Sequence, residues 1–171
     1  MFKACLAFLA MIIILALAGC GTSSAPSGKI TIDGHPTTLK VGKVSKEDYT
    51  RQINTKCTSM QHQIIAETNK EIALYTHTSP DHPVIAPKLT GGQRVQLIMV
   101  ATVPVVQRWL DQMVTVKVPQ ADVAELADFY QDYQDALTKL KKKPGLLLKS
   151  AVFSAADQKA DEYGLYACQM H

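Results

Sequence analysis

Hydrophobic and polar positions divide this chain into an uncharged leading segment and a long stretch with helical periodicity. Residues 4–19 contain no charged side chain. Beyond residue 45, apolar side chains recur every three or four positions, the spacing that places them on one face of a helix. The pattern predicts four amphipathic helices with antiparallel connections. The predicted fold class is therefore all-α, an up-and-down four-helix bundle preceded by a short N-terminal β-hairpin or extended arm.

The first two helices are bounded by start and stop signals. The first begins near Ser45, whose pairing with Asp48 is similar to a capping box, and it ends before the proline-rich segment 76–87. The second occupies roughly residues 93–113. It contains Pro104, which removes a backbone hydrogen bond, so we expect a kink or a break there.

The third helix has the most regular pattern in the chain, and a fourth helix follows it. Its apolar and aromatic residues alternate spacings of three and four, which is a heptad-type seam. The seam consists of Val123, Leu126, Tyr130, Tyr133, Leu137 and Leu140. Pro144 stops this helix, and the fourth spans about 147–163, after which Gly164 fits the left-handed position that commonly ends a helix.

A short extended segment precedes the helices. Ile30 and Ile32 flank a polar residue, and Asp33–Gly34 is a dipeptide typical of hairpin turns. Pro36 restricts the returning strand to a sheet edge. Residues 29–43 are therefore predicted to form a hairpin or extended arm, which must pack on the helices because an isolated hairpin is marginally stable.

Residues 1–19 have the layout of a secretory signal peptide, with the positive charge of Lys3, an apolar core and small residues before Cys20. The apolar run of about 16 residues is shorter than the roughly 20 that a spanning helix needs, so a spanning anchor is the less favoured alternative. The sequence LAGC at residues 17–20 resembles the lipobox of bacterial lipoproteins. That resemblance implies a diacylglyceryl group on Cys20, cleavage before it, and acylation of the new amino terminus.

The lipobox resemblance sets the expected domain organisation and location. The order is a signal peptide at 1–19, lipidated Cys20 with a flexible tether at 20–28, the arm at 29–43 and a helical bundle domain at 44–171. Two or more acyl chains anchor a protein durably, so we expect attachment to the extracytoplasmic face of the cell membrane. In a host with two membranes, the absence of Asp after Cys20 favours the outer membrane.

The chain contains four cysteines, and two of them lie in the N-terminal segment that is predicted to be a signal peptide with a lipidation site. Cys5 belongs to the predicted signal peptide and Cys20 to the predicted lipid anchor, which leaves Cys57 and Cys168. In an oxidising compartment an even remainder predicts one disulfide. Two buried free thiols remain an alternative, whereas a metal site is disfavoured because neither cysteine has a nearby Cys or His at ligand spacing.

The C-terminal segment AADQKADEYGLYAC carries a second resemblance. It is similar to the ending of small, uncharacterised exported helical lipoproteins of actinobacteria, which follow an A-x-x-x-A-x-x-x-GL-x-x-C pattern. The matching residues are Ala156, Ala160, Gly164, Leu165 and Cys168. The resemblance implies a helical bundle closed by a disulfide, and it carries over no catalytic residue and no ligand.

The charge and the histidine positions give little support for a nucleic-acid-binding, metal-binding or catalytic site. The formal charge at pH 7 is +3, which gives no overall basic footprint for nucleic acid. His62, His77, Asp81 and His82 could supply zinc ligands. A proline-rich loop seldom preorganises such a site, so we predict no metal, no cofactor and no catalytic residue.

Two further clusters are candidates for binding. The lysine run at 139–143 could contact anionic lipid headgroups, although the same lysines also complement the negative end of a helix dipole. Aromatic side chains could line a cavity for an apolar ligand between the helices, although at helical spacing such residues are more often core. The candidate cavity residues are Trp109, Tyr130, Tyr133 and Tyr163.

Together these patterns favour a lipid-anchored, non-enzymatic protein of the cell envelope. It would bind or shield a partner protein at the membrane surface, as a secretion or assembly accessory or a phage-exclusion lipoprotein does. The alternative is a carrier of a small apolar or lipid-like ligand in an interhelical cavity. An enzyme is the third hypothesis.

Overall fold

The computed structural model describes residues 28–77, 89–149 and 151–170 of the 171-residue chain, and this part is mostly helical. The predicted signal peptide, Cys20 and most of the tether lie outside the described residues. No helix in the described ranges combines the length and the apolar character needed to cross a membrane. The four α-helices are α1 (Lys46–His77), α2 (Gly91–Met113), α3 (Val123–Lys142) and α4 (Ser154–Tyr163).

Short strands lie before α1 and before α3. β1 (Lys29–Ile32) and β2 (His35–Thr38) pair antiparallel, and β3 (Val41–Gly42) pairs in parallel with β4 (Val118–Pro119). The turn between β1 and β2 is Asp33–Gly34, whose φ angles are 46° and 83°. Positive φ at both central residues is what a tight two-residue hairpin turn requires. The predicted hairpin is thus confirmed.

The hairpin packs on α3. The backbone N–H of Thr31 donates a hydrogen bond to Oε1 of Gln131 at 2.8 Å. Just before β1, Gly28 lies so close to Val123 that a Cβ at position 28 would stand 2.7 Å from a methyl carbon. The buried residues of β1 are Ile30 and Ile32. These contacts supply the support that an isolated hairpin lacks.

The third helix lies at the centre of the apolar core. α1 packs on α2, α2 on α3 and α3 on α4, while β1 also contacts α3. Every residue of the predicted seam is buried, namely Val123, Leu126, Tyr130, Tyr133, Leu137 and Leu140. Fully burying one large apolar side chain stabilises a protein by about 1.5–3 kcal/mol, so this face of α3 contributes strongly to the stability of the fold.

The first helix is buried along its N-terminal half only. It begins as predicted, because the Asp48 N–H donates to Oγ of Ser45 at 3.0 Å and the Ser45 hydroxyl donates to Oδ2 of Asp48 at 2.9 Å. Its buried side chains are Tyr49, Ile53, Cys57 and Met60. From residue 61 to residue 74, by contrast, every side chain is half-buried or exposed. The second half of α1 therefore extends along the surface of the core.

The second helix continues through Pro104 without a break. A proline inside a helix costs about 3 kcal/mol. Ala101 and Thr102 before the proline and Val105 and Val106 after it are buried, so packing holds both sides of the proline in one helix. Of the two outcomes expected at Pro104, the break does not occur. At the start of α2, the side chains of Thr90 and Gln93 form a complete capping box.

The fourth helix is shorter than predicted. It begins at Ser154 rather than near residue 147, and Pro144–Lys149 forms a separate 3-10 helix. Leu146 and Leu147 pack against the core from this short segment, so their burial does not require an α-helix. Gly164 ends α4 with a φ of 88°, which confirms the predicted left-handed terminus.

A disulfide joins Cys57 of α1 to Cys168 in the short 3-10 helix that follows α4, which confirms the predicted bond. The two Cα atoms are 4.9 Å apart, and both side chains are buried. Oδ1 of Asn54 accepts a hydrogen bond from the Ala167 N–H at 3.1 Å, and Nε2 of Gln61 donates to the Ala167 carbonyl at 2.9 Å. The C-terminal segment is thus fixed to α1 by covalent and hydrogen bonds.

Candidate functional site

Three of the four candidate cavity residues contact one another in the core. The ring centroid of Trp109 lies 5.1 Å from that of Tyr133 and 6.1 Å from that of Tyr130. All three side chains are buried, and the Tyr133 hydroxyl donates to the main-chain carbonyl of Cys168. Centroid separations of about 4.5–7 Å are those at which aromatic rings attract each other. Aromatic contacts therefore join α2 to α3.

The fourth residue, Tyr163, joins this cluster through Tyr49. The rings of Tyr49 and Tyr163 meet edge to face with centroids 6.1 Å apart. The hydroxyl groups of Tyr49 and Tyr130 are hydrogen-bonded at 2.5 Å, and the Tyr163 hydroxyl donates to Oδ2 of Asp122 at 2.6 Å. Every phenol hydroxyl of the cluster thus has a partner, and α1 and α4 are linked to the aromatic core.

The tyrosines of this cluster have raised pKa values. Burial raises the pKa of Tyr49, Tyr130 and Tyr133 above the ordinary tyrosine value of about 10. Burial is also the largest cause of the raised pKa of Tyr163, and the carboxylate of Asp122 raises it further by accepting the phenol hydrogen bond. These side chains are therefore neutral near pH 7 and behave as hydrogen-bonded core residues.

A small groove of about 120 Å³ opens between α1 and α2 beside Trp109. The α1 residues that line it are spaced so that they share one face of the helix. The lining side chains are Lys56, Ser59, Met60 and Gln63 from α1, and Arg108, Trp109 and Gln112 from α2. All of them except methionine can donate hydrogen bonds, and none is acidic. The groove is therefore rich in donors.

The indole N–H of Trp109 is buried without a hydrogen-bond acceptor among the described residues. A buried donor that lacks a partner costs about 1–3 kcal/mol, so it calls for an explanation. Within the described part of the chain, neither Lys56 nor Arg108 forms an ion pair. Among the described residues, the groove thus combines two positive charges that have no ion-pair partner, and this favours a negatively charged group.

The lysine run at 139–143 is exposed, and one of its members is engaged within the protein. Nζ of Lys141 lies 2.9 Å from Oδ1 of Asp33 and 3.2 Å from Oε1 of Gln107. The hydrogen bond from Lys141 and its positive charge lower the pKa of Asp33. Lys141 therefore connects the hairpin turn to α2 and α3, and contact of this run with lipid headgroups stays a prediction.

Several predicted site residues lie outside the described residues. Cys20, Asp81, His82 and the side chain of His77 are among them, so the lipidation of Cys20 stays a prediction. Across residues 28–77, 89–149 and 151–170, no group of three or more His, Cys, Asp or Glu side chains is placed to hold a metal ion.

Sequence reasoning did not find the groove, because its two halves come from different helices. Lys56 and Gln63 are seven positions apart and therefore lie on the same side of α1, which the sequence alone reveals. Arg108 lies opposite these two residues only because of the register between α1 and α2. No protein-family model, curated protein or solved structure matches the chain.

Proposed function

We propose that this is a lipid-anchored, non-enzymatic protein of the cell envelope, whose helical domain binds or shields a partner protein at the membrane surface. The observation that carries the proposal is the distribution of the cysteines. Cys57 and Cys168 are bonded to each other, which leaves Cys20, at the end of the signal-peptide-like segment, available for a lipid. A disulfide is also typical of proteins exported to an oxidising compartment.

The proposal includes an up-and-down bundle arrangement of the four helices. Support comes from the sequential packing of α1 on α2, α2 on α3 and α3 on α4, and from the disulfide that returns the chain end to α1. The buried tyrosines are neutral and hydrogen-bonded, which favours a structural role for them over a catalytic one. A binding role for the domain agrees with both observations.

The second half of α1 supports the proposed protein partner. Between residues 61 and 74 the side chains are half-buried or exposed, yet several are apolar. Ile65 is 59% exposed and Leu74 is 54% exposed, while Val100 on the adjacent α2 is 53% exposed. Ile65 and Leu74 are nine positions apart and so lie on opposite faces of the helix. Ile65 borders a groove together with Ile64 and Met170, and grouped exposed apolar side chains favour contact with another protein. We therefore place the partner on this half of α1.

Replacing Cys20 by alanine tests the proposed anchor. The Cys20→Ala protein should lose the lipid and should separate from the membrane fraction. Cys5→Ala is the matched control, because Cys5 precedes the proposed cleavage site and its loss should leave maturation unchanged. Mass spectrometry of the N-terminal peptide identifies the mature terminus, and a wild-type protein that retains Met1 and an unmodified Cys20 would contradict the anchor.

A photoreactive residue placed at Ile65 tests the proposed partner surface. In intact cells it should crosslink to one defined protein, whereas the same residue at Gln158, exposed on α4, should not. Equal crosslinking from the two positions, or none from position 65, would count against a partner on α1. Because this assay does not depend on Cys20, it separates the partner from the anchor.

A further inference from the structure

The groove between α1 and α2 places positive charges from two helices around one small space. Lys56 lines it from α1 and Arg108 lines it from α2. Lysine, arginine and the indole of Trp109 donate hydrogen bonds but accept none, so they cannot satisfy one another. Ser59, Gln63 and Gln112 offer neutral acceptor atoms, but among the described residues no carboxylate lines the groove. The positive charges of Lys56 and Arg108 therefore lack a counter-charge there, which a negatively charged ligand would supply.

We infer that this groove binds a phosphate group. A phosphate ester carries about 1.5–2 negative charges near neutral pH and three strong acceptor oxygens, which matches two cations and a donor better than a carboxylate with one charge does. The planar guanidinium of Arg108 is suited to paired hydrogen bonds with phosphate oxygens. Trp109 also lines the groove, so its fluorescence reports on what binds there.

The size and the surroundings of the groove agree with this ligand. A volume of about 120 Å³ corresponds to roughly four water molecules at liquid density, which is enough to accommodate a phosphate group. Arg108 also borders a neighbouring groove that contains Glu67 and Glu71. Among the described residues it forms an ion pair with neither glutamate, so its charge remains available to a ligand. This inference does not depend on the lipid anchor.

Trp109 provides a direct signal for the test, because it is the single tryptophan of the chain. The full-length protein in a neutral detergent is titrated with inorganic phosphate at low and constant ionic strength, and its fluorescence is recorded. A saturable change is expected. Lys56→Gln and Arg108→Gln should each weaken phosphate binding roughly tenfold. Arg51→Gln, which removes an exposed cation of α1 outside the groove, should leave the affinity unchanged.

The controls make the phosphate assignment refutable. The assignment would be overturned if phosphate gave no saturable signal, or if chloride at matched ionic strength gave the same response. It would also be overturned if acetate bound as tightly as phosphate, or if Arg51→Gln weakened binding as much as Arg108→Gln. Thermal unfolding shows whether each variant folds, and Arg108→Lys, which keeps the charge, should retain more affinity than Arg108→Gln. If both variants at 108 fail to fold, the wild-type titration with phosphate, chloride and acetate still decides.

A second arm distinguishes a lipid phosphate from a free phosphate. Vesicles of phosphatidylcholine with and without phosphatidic acid are added to the same protein. A fluorescence response that requires phosphatidic acid and disappears in Arg108→Gln supports a lipid headgroup as the source. A response to inorganic phosphate without a response to either vesicle supports a free phosphate. A response to both vesicles that persists in Arg108→Gln would overturn binding at the groove.

Discussion

Three buried phenols, those of Tyr49, Tyr130 and Tyr133, should make the free energy of unfolding depend strongly on pH in alkaline solution. Burial raises the pKa of each above the ordinary value of about 10, whereas the unfolded chain titrates near that value. Above pH 10 the unfolded state therefore releases protons that the folded state retains. Stability is fully present below about pH 10 and is lost as the pH rises beyond it.

The magnitude follows from the number of buried phenols. Each contributes a loss that approaches about 1.4 kcal/mol per pH unit well above 10, until its folded-state pKa is reached. Because the unfolded phenols are only half ionised at pH 10, the three together remove about 3 kcal/mol between pH 10 and pH 11, which is a substantial part of the roughly 5–15 kcal/mol that stabilises a typical domain. Tyr163 acts in the same direction, but it is left out of this figure because its hydroxyl is only partly buried.

Urea unfolding at a series of pH values measures this dependence. The midpoint should be nearly constant up to pH 9.5 and should then fall steeply, while near-ultraviolet absorbance shows tyrosinate appearing together with unfolding. Tyr133→Phe removes one of the three phenols and should reduce the alkaline slope by about a third. Tyr166→Phe is the matched control, because Tyr166 is 65% exposed and its replacement should leave the slope unchanged.

Two results would refute this reasoning. The first is a midpoint that stays constant between pH 10 and pH 11 in the wild-type protein. The second is ionisation of all the tyrosines near pH 10 while the protein remains folded, because that would mean that the phenols are accessible to solvent.

Other predictions concern stability at neutral pH, measured by urea unfolding. Replacing both Cys57 and Cys168 by alanine should cost about 5 kcal/mol, because the bond closes a loop with a sequence separation of 111, and a loss below 1 kcal/mol would contradict this. Gly164→Ala should cost about 1 kcal/mol owing to its φ of 88°, and an unchanged midpoint would argue against the left-handed terminus. Thr90→Ala should cost about 1 kcal/mol through loss of the capping box, whereas Thr90→Asn should restore most of it.

Much of the fold follows from local signals in the sequence. The three-and-four spacing of α3 identifies its buried face because that periodicity is a property of the helix itself. The turn at Asp33–Gly34 and the end of α4 at Gly164 follow in the same way from backbone conformations that few residues adopt. The disulfide was predicted by counting cysteines, which required no geometry.

What could not be predicted depends on contacts between distant segments. Pro104 lies in an unbroken helix because the residues around it are buried, and burial depends on the neighbouring helices. The fourth helix was expected to begin near residue 147, but a separate 3-10 segment carries Leu146 and Leu147 against the core and the α-helix begins at Ser154. The groove at Lys56 and Arg108 depends on the register between α1 and α2, which neither helix specifies alone.

The position of Gly28 has a mechanical consequence. Its main-chain carbonyl accepts from the Leu39 N–H at 2.9 Å, and Val123 leaves no room for a side chain at position 28. A pulling force transmitted along the preceding chain acts first on this point and on β1, and reaches α1 only afterwards. The two short strands can separate one hydrogen bond at a time and pair again. The hairpin would therefore unfold under force before the helices, which the disulfide holds together, lose their packing.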